Sequence, residues 1–402
     1  MTFRRLPENL RRYAKSLARA AVAMSFGLGD LLAGGVLAVN LEVVRSIPWA
    51  VTAYPGMLSA RGAVNGVLSG RLSTGLNLGS IRPSLRRNTE EFWATISAAF
   101  ALTLLASSSL TLTLGSSLML TGWYDSRILA DLLIVITASM GVSQLIMAPA
   151  TSLASFAFFK LGIDPDYVTY PSMSTVADFV VSAVYVGLLR VFRAGWLGRV
   201  AVLALALGFA ASTVAFAFTQ RGSEGFRSVL REASMSILGV SLIVTLTGNL
   251  LLRVERRIGE IRSIYLVYPA LLTMVGDFGS IVGSVATTRL ALGTARAGAG
   301  ILLDVSPEAT GAWTAWFVAS QAFGLIAAAF GGGGRFFWLA TVLGVSGILS
   351  TLAVTAIALI VAILTFRMGL DPDNFVNPIE SSLADAVTTG SLLLALTLLP
   401  PA

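Results

Sequence analysis

The chain has 402 residues, 55% of them hydrophobic and 12% charged, with a mean hydropathy of +0.80. It contains no cysteine and no histidine, which excludes disulfides, thiolate nucleophiles, imidazole bases and the ligands favoured by zinc, copper or iron. The formal net charge is +7; in a chain this apolar, surplus Lys and Arg are expected in cytoplasmic loops rather than on nucleic acid. Any metal site must be built from oxygen, a donor set suited to Mg2+, Ca2+ or Mn2+.

The first segment, 4–19, carries Arg4, Arg5, Arg11, Arg12, Lys15 and Arg19. It is expected to be the positive flank of the first span, with a basic helix lying on anionic lipid as the alternative. The apolar region that follows does not end at a processing site, so no cleaved signal peptide is expected. Apolar runs then predict membrane spans near 21–41, 47–70, 92–118, 128–159 and 172–192, since about 20 residues cross a bilayer as a helix. A further run covers 199–218, and a second series extends to the C-terminus, giving about eleven spans in all. The short alternating strands of a membrane β-barrel are absent, and no soluble domain of any size is left over. The expected fold is an all-α polytopic membrane protein.

The series repeats. Residues 161–178 read LGIDPDYVTYPSMSTVAD and residues 368–385 read MGLDPDNFVNPIESSLAD, matching from Gly162/Gly369 to Asp178/Asp385. Tyr54-Pro55 recurs as Tyr268-Pro269, Gly62 as Gly276, and Thr74, Leu76, Leu78, Gly79 and Arg82 as Thr288, Leu290, Leu292, Gly293 and Arg296. The chain therefore divides into a first five-helix repeat at 1–195, which includes the basic N-terminal segment, and a second at 221–402. The connecting span at 196–220 has no counterpart. Five spans leave the chain on the side opposite its start, and one more brings it back. The repeats are then expected to share one orientation, in a parallel pseudo-two-fold arrangement. With the N-terminus cytoplasmic, the inner segments hold the larger share of Lys and Arg.

The last helix of each repeat concentrates the chemistry. Pro171 and Pro378 suit a first helical turn. Asp178 and Asp385 follow two turns later, roughly 10 Å along the axis, within the apolar zone. A charged Asp there costs about 2.5–3.5 kcal/mol on insertion scales. Ser174 and Ser381 lie one turn earlier on the same face. Two such helices facing each other would offer an oxygen-lined cation site. Asp164-Pro165-Asp166 and Asp371-Pro372-Asp373 suit turns, with attraction of cations as a secondary effect. In the second span, Gly62, Gly66 and Gly70 align with Gly276, Ser280 and Ser284, a stripe expected first as a packing face. Asp277 stands where the first repeat has Ala63, with Asn65 as its nearest polar group, and would add a third carboxylate on one side only. Glu380, opposite Met173 in the alignment, is a lesser candidate. Asp30 lies in Gly27-Leu28-Gly29-Asp30, a string shared with presenilin-type intramembrane aspartyl proteases. No earlier span supplies the second aspartate such a protease needs, so the match is taken as accidental.

These residues resemble the MgtE family of divalent-cation transporters and its eukaryotic solute-carrier relatives. The resemblance rests on the Pro-led, Gly-rich second span, with Gly276-Asp277 and Gly279-Ser280, and on the G-[IL]-D-P loop followed by proline, serine and Asp178 or Asp385. It covers nearly the whole chain and implies that two five-span units form a pore, fused here into one chain. It implies that Asp178 and Asp385 bind hydrated Mg2+, supported by Asp277, Ser174 and Ser381, in a pathway at the interface of the repeats. Mn2+, Ca2+ and Na+ are the alternative ions, and no cofactor beyond the transported ion is expected. The expected protein is a multi-pass component of the cell membrane that needs no nucleic acid and acts as a monomer, its two repeats mimicking a homodimer. It is not expected to be an enzyme. A Na+- or H+-coupled exchanger is the alternative within transport, and an intramembrane aspartyl protease the alternative outside it. Two departures stand out. Arg61 places a positive charge near the expected path, and the soluble Mg2+-sensing domains of bacterial members have no counterpart, so gating by them is not expected.

Overall fold

Inside a bilayer an apolar chain can satisfy its backbone hydrogen bonds along one segment only as a helix. The computed structural model describes the backbone of residues 7–120, 126–162, 165–259, 261–298, 300–330, 335–368 and 373–401, with side chains described throughout these except at 165–171, 291 and 373–382. Among the described residues there are helices and no strand. In chain order they are α1 (Glu8–Val39), α2 (Leu41–Arg45), α3 (Ala50–Leu78), α4 (Glu90–Leu120), α5 (Arg127–Lys160), α6 (Pro165–Arg193), α7 (Trp196–Gln220), α8 (Glu224–Ile258), α9 (Arg262–Ala291), α10 (Ile301–Phe330), α11 (Phe336–Arg367) and α12 (Asp373–Leu398).

Nine of them, α1 and α4 to α11, are long and apolar enough to cross a membrane, counted over the described residues. Of the eleven expected spans, α3 and α12 fall short of that measure. α3 buries Arg61, Asn65, Ser69 and Ser73 along its length, and the described apolar stretch of α12 is Leu383–Leu398. The chain is an all-α polytopic membrane protein.

From Glu8 onward the basic N-terminal segment is part of α1 rather than a separate surface helix. α1 has 32 residues, about 48 Å of helix against a hydrocarbon core of about 30 Å. Its N-terminal turns therefore project beyond the core. There Arg11, Lys15 and Arg19 are exposed, while Ser16 and Ala20, at helical spacing from Arg12, turn inward.

The chain forms two compact units that do not follow the repeat boundaries. The first-repeat unit is Val39–Asn249; the second-repeat unit joins Met1–Ala38 to Leu250–Ala402. In the first-repeat unit α3 packs on α4, α5 and α6, and α5 packs on both α4 and α6. α7, the helix without a counterpart, lies on α4, α5 and α6. Its Phe209 ring sits on Gly141 of α5 and stacks on Phe100 of α4 at 5.7 Å between centroids. In the second-repeat unit α9 packs on α10, α11 and α12, and α11 on α10 and α12. The two units thus repeat one internal packing pattern.

Each unit takes its first helix from the other repeat. α1 belongs to the second-repeat unit, where a Cβ at Gly34 would lie 2.6 Å from the carbonyl carbon of Leu266 and closer still to its oxygen. Residues 224–249 of α8 belong to the first-repeat unit, where a Cβ at Gly248 would meet the carbonyl of Thr52 in the same way. The shift that maps Tyr54 onto Tyr268 also maps Gly34 onto Gly248 and Thr52 onto Leu266. The exchange is therefore reciprocal in register.

Polar contacts fasten each exchanged helix. Arg12 of α1 makes a two-pronged ion pair with Glu308 of α10 at 2.7 and 2.8 Å, and Arg289 of α9 reaches the same carboxylate at 2.7 Å. Both arginines also donate to the Asp304 carbonyl, and the Ser16 hydroxyl donates to the Glu308 carbonyl at 2.8 Å. In the first-repeat unit Thr245 of α8 donates to Thr113 of α4 at 2.8 Å, and Asn249 donates to Ser117 at 2.8 Å.

Candidate functional site

The site is set by a hydrogen-bond relay that occurs twice. In the first-repeat unit the Tyr54 hydroxyl of α3 lies 2.9 Å from the Ser182 hydroxyl of α6, and Ser182 donates to the Asp178 carbonyl at 2.7 Å. In the second-repeat unit the Tyr268 hydroxyl of α9 lies 2.9 Å from the Thr389 hydroxyl of α12, and Thr389 donates to the Asp385 carbonyl at 2.8 Å. Tyr54, Tyr268, Ser182 and Thr389 are all buried. A buried phenol needs a partner, and here that need fixes the register of the helix pair. Both fifth-span aspartates are thereby held at one height relative to the tyrosine of their own unit. Sequence reasoning singled out the aspartates and the Tyr-Pro pair but missed the relay. Its signal was present, since Ser182 and Thr389 both lie four residues after the repeated aspartate.

Two turns along α3 from Tyr54 lies Arg61, and one turn back along α6 from Ser182 lies Asp178. Their side chains meet. Arg61 Nη2 donates to Asp178 Oδ1 at 2.5 Å and to the Ser174 carbonyl at 3.3 Å. Arg61 is 4% exposed and Asp178 8%. The positive charge that the sequence places near the expected path is therefore spent on the first-repeat aspartate itself. Arg61 Nε and Nη1 find no acceptor among the described residues. Ser174 contributes its carbonyl to this pair. One turn further along α3, Asn65 accepts a hydrogen bond from Thr151 of α5 at 3.1 Å.

The second-repeat unit places different residues in the same frame. Val275 occupies the position of Arg61, and it is buried. Asp277 follows two residues later on α9, and Asp385 lies on α12, the helix packed against α9. Both carboxylate residues are partly exposed. The side chains of Ser381 and Glu380 lie outside the described residues, as do those of Asp164, Asp166, Asp371 and Asp373. Among the described residues no cluster of three or more acidic side chains has the spacing of a chelating metal site. A hydrated Mg2+ does not require one, because it keeps most of its water and needs only one or two carboxylates.

The glycine stripe behaves differently from its expected role. A Cβ at Gly62, Gly70 or Gly276 would meet nothing within 4 Å. Close backbone approaches occur instead at Gly34, Gly198, Gly248 and Gly311, where an added Cβ would meet the carbonyls of Leu266, Val191, Thr52 and Tyr13. Asp30 is fully buried on α1, one turn before Gly34 and so on the same helix face.

Comparison with known proteins gives three results. No curated protein matches the chain. The solved structure of the eukaryotic MATE transporter AtDTX14 aligns over 98% of this chain and 97% of its own, at 11% identity and a TM-score of 0.18, a likeness too slight to support any inference. The family model for MgtE, divalent cation transporter, matches residues 54–188 and 268–395, the segments that carry both relays and both fifth-span aspartates. The chain belongs to the MgtE family of divalent cation transporters.

Proposed function

We propose that this protein carries Mg2+, or a hard divalent cation of like size, across the cell membrane, with Asp385 and Asp277 as the carboxylates that hold it. One observation carries this reading. The helix pair α9 and α12 brings two partly exposed acidic residues into an apolar unit, with Val275 where the first repeat has Arg61. An intramembrane carboxylate is costly and is retained for function. A pair of them suits an ion that sheds water reluctantly and accepts one or two carboxylates beside its retained waters. Gly276, directly before Asp277, presents no side chain and has open space at its Cβ position. A bulky hydrated ion needs such room. Asp178 and Ser174 are the matching residues of the first repeat, where Arg61 already donates to the Asp178 carboxylate and the Ser174 carbonyl. Both repeats lie on one chain, so a monomer suffices, and no cofactor besides the ion is invoked. The charge distribution favours a cytoplasmic N-terminus.

The test is Mg2+ flux into liposomes containing the purified protein. Asp385→Asn and Asp277→Asn should each lower flux at least about tenfold, the range seen when a metal site loses a supporting group, with an unchanged melting transition. Wild-type flux in the Asp385→Asn/Asp277→Asn protein would refute the assignment. Flux that follows an imposed Na+ or pH gradient would identify coupled exchange on the same scaffold.

A further inference from the structure

We propose that Arg61 is a tethered cation that permanently fills the first repeat's aspartate site, so that cation binding rests on the second repeat alone. The inference builds on the reading of Asp385 and Asp277 given above.

The register of the two helix pairs makes the comparison strict. The Tyr54–Ser182 and Tyr268–Thr389 hydrogen bonds are equal in length, 2.9 Å, and each hydroxyl donates to the carbonyl of its aspartate. Position 61 on α3 therefore stands to Asp178 as position 275 on α9 stands to Asp385. In the first repeat that position is Arg, in the second Val. Two residues further on, the first repeat has Ala63 and the second Asp277. These matched positions sum to zero charge in the first repeat and to two negative charges in the second. Both charge differences point the same way.

The chemistry of the pair supports occupancy by Arg61 rather than by a mobile ion. A guanidinium stays protonated at any accessible pH, so Arg61 does not release Asp178 by losing a proton. It is covalently attached, so its local concentration far exceeds that of any free cation. Arg61 and Asp178 are both more than nine-tenths buried and in direct contact at 2.5 Å. A hydrated divalent ion, which approaches through its water shell, has no place between them. Moving Arg61 aside would leave a guanidinium and a carboxylate buried and unpaired, the most unfavourable arrangement for such a pair.

The experiment measures Mn2+ binding, by the loss of its free electron-paramagnetic signal, to the full chain in lipid nanodiscs, with Mg2+ flux in liposomes alongside. Arg61→Val/Asp178→Asn should keep Mn2+ affinity and Mg2+ flux within about twofold of wild type, whereas Asp385→Asn should weaken both about tenfold or more. Arg61→Val alone should gain an additional, weaker Mn2+ site that Asp178→Asn removes. If Arg61→Val/Asp178→Asn does not fold, the apolar pair Arg61→Met/Asp178→Leu carries the same test, because a buried ion pair tolerates replacement by packed apolar side chains. A folded paired variant with about tenfold weaker Mn2+ binding and flux overturns the inference and leaves the cation reading standing. Unchanged binding in both the paired variant and Asp385→Asn overturns the cation reading itself, and the inference falls with it.

Discussion

Gly34→Ala and Gly35→Ala should change stability in opposite directions, although the residues are neighbours on one helix. A Cβ at Gly34 would lie 2.6 Å from the Leu266 carbonyl carbon and 2.9 Å from the Tyr265 oxygen, whereas one at Gly35 would meet nothing within 4 Å. Ordinary contact begins at 3.4 Å, so α1 and α9 must separate by about 1.5 Å to clear the still closer Leu266 oxygen, and helix backbone cannot rotate out of the way. Overpacking of this kind costs about 3 kcal/mol, the upper end of the usual range. The better helix propensity of alanine returns about 1 kcal/mol. Gly34→Ala should therefore lose about 2 kcal/mol net, while Gly35→Ala should gain about 0.5–1 kcal/mol. Reversible unfolding in mixed micelles titrated with SDS reads both. Hydrogen exchange locates the damage, which should appear in α9 around Leu266 and not in α3, because α1 belongs to the second-repeat unit. Gly248→Ala should do the converse, loosening α3 around Thr52. A Gly34→Ala protein as stable as Gly35→Ala, or one that loosens α3 instead of α9, would refute the exchange of first helices.

Further outcomes follow from the polar contacts. Glu308→Ala strands two partly buried guanidiniums, Arg12 and Arg289, with side chains 23% and 18% exposed, and should cost about 2 kcal/mol in the same titration, less than a fully buried pair would. A loss under about 0.5 kcal/mol, the level of an ordinary surface pair, would show that the clasp is not what holds α1. Tyr268→Phe removes the hydrogen bond to Thr389 and should lower stability by about 1 kcal/mol and also lower Mg2+ flux, while Tyr54→Phe should cost similar stability with flux preserved. Equal flux in the two variants would contradict the division of labour between repeats. In a double-mutant cycle, Arg61→Met should cost about 3–5 kcal/mol alone and far less with Asp178→Leu present. Additive losses would mean that the two side chains are not a pair in solution.

The helices were legible because crossing a membrane imposes length and apolarity on the sequence directly. The spans read near 92–118 and 128–159 lie within α4 and α5. The duplication was legible because Tyr54-Pro55, the Asp-Pro-Asp loop and Asp178 recur in the same order, the first as Tyr268-Pro269 and the last as Asp385. The ownership of the first helices was not, since an apolar face does not state which apolar face covers it. Gly34, Gly248 and Gly311 mark it through the backbone they meet, yet among 39 glycines nothing local distinguishes Gly34 from Gly35. Similarly, Arg61 was visible as a misplaced charge, but its partner depends on how α3 and α6 align. That alignment is set by Tyr54 and Ser182, 128 residues apart. The glycine stripe at Gly62, Gly70 and Gly276 had the spacing of a packing face, yet spacing alone cannot say whether a small residue admits a neighbour or leaves room for something else.

Joining two repeats in one chain removes a constraint that symmetry would impose. In a two-fold dimer of identical chains every substitution appears twice at equivalent places. An arginine at position 61 would then neutralise both fifth-span aspartates, and an aspartate in place of Ala63 would double the buried negative charge. A fused chain lets the copies diverge, and the divergence here is selective. The scaffold stays duplicated: Tyr54 with Tyr268, Ser182 with Thr389, Gly34 with Gly248, and the packing of α3 and α9 on their neighbours. What differs is charge at two positions, Arg61 against Val275 and Ala63 against Asp277. A second carboxylate in one apolar unit adds charge that is costly to hold there, a cost that a bound divalent cation would offset. A carboxylate matched by a guanidinium has no such need. On the proposed reading, the first repeat retains the frame of a cation site with Asp178 paired to Arg61, while the second carries two carboxylates, Asp277 and Asp385, where a transported ion would be held.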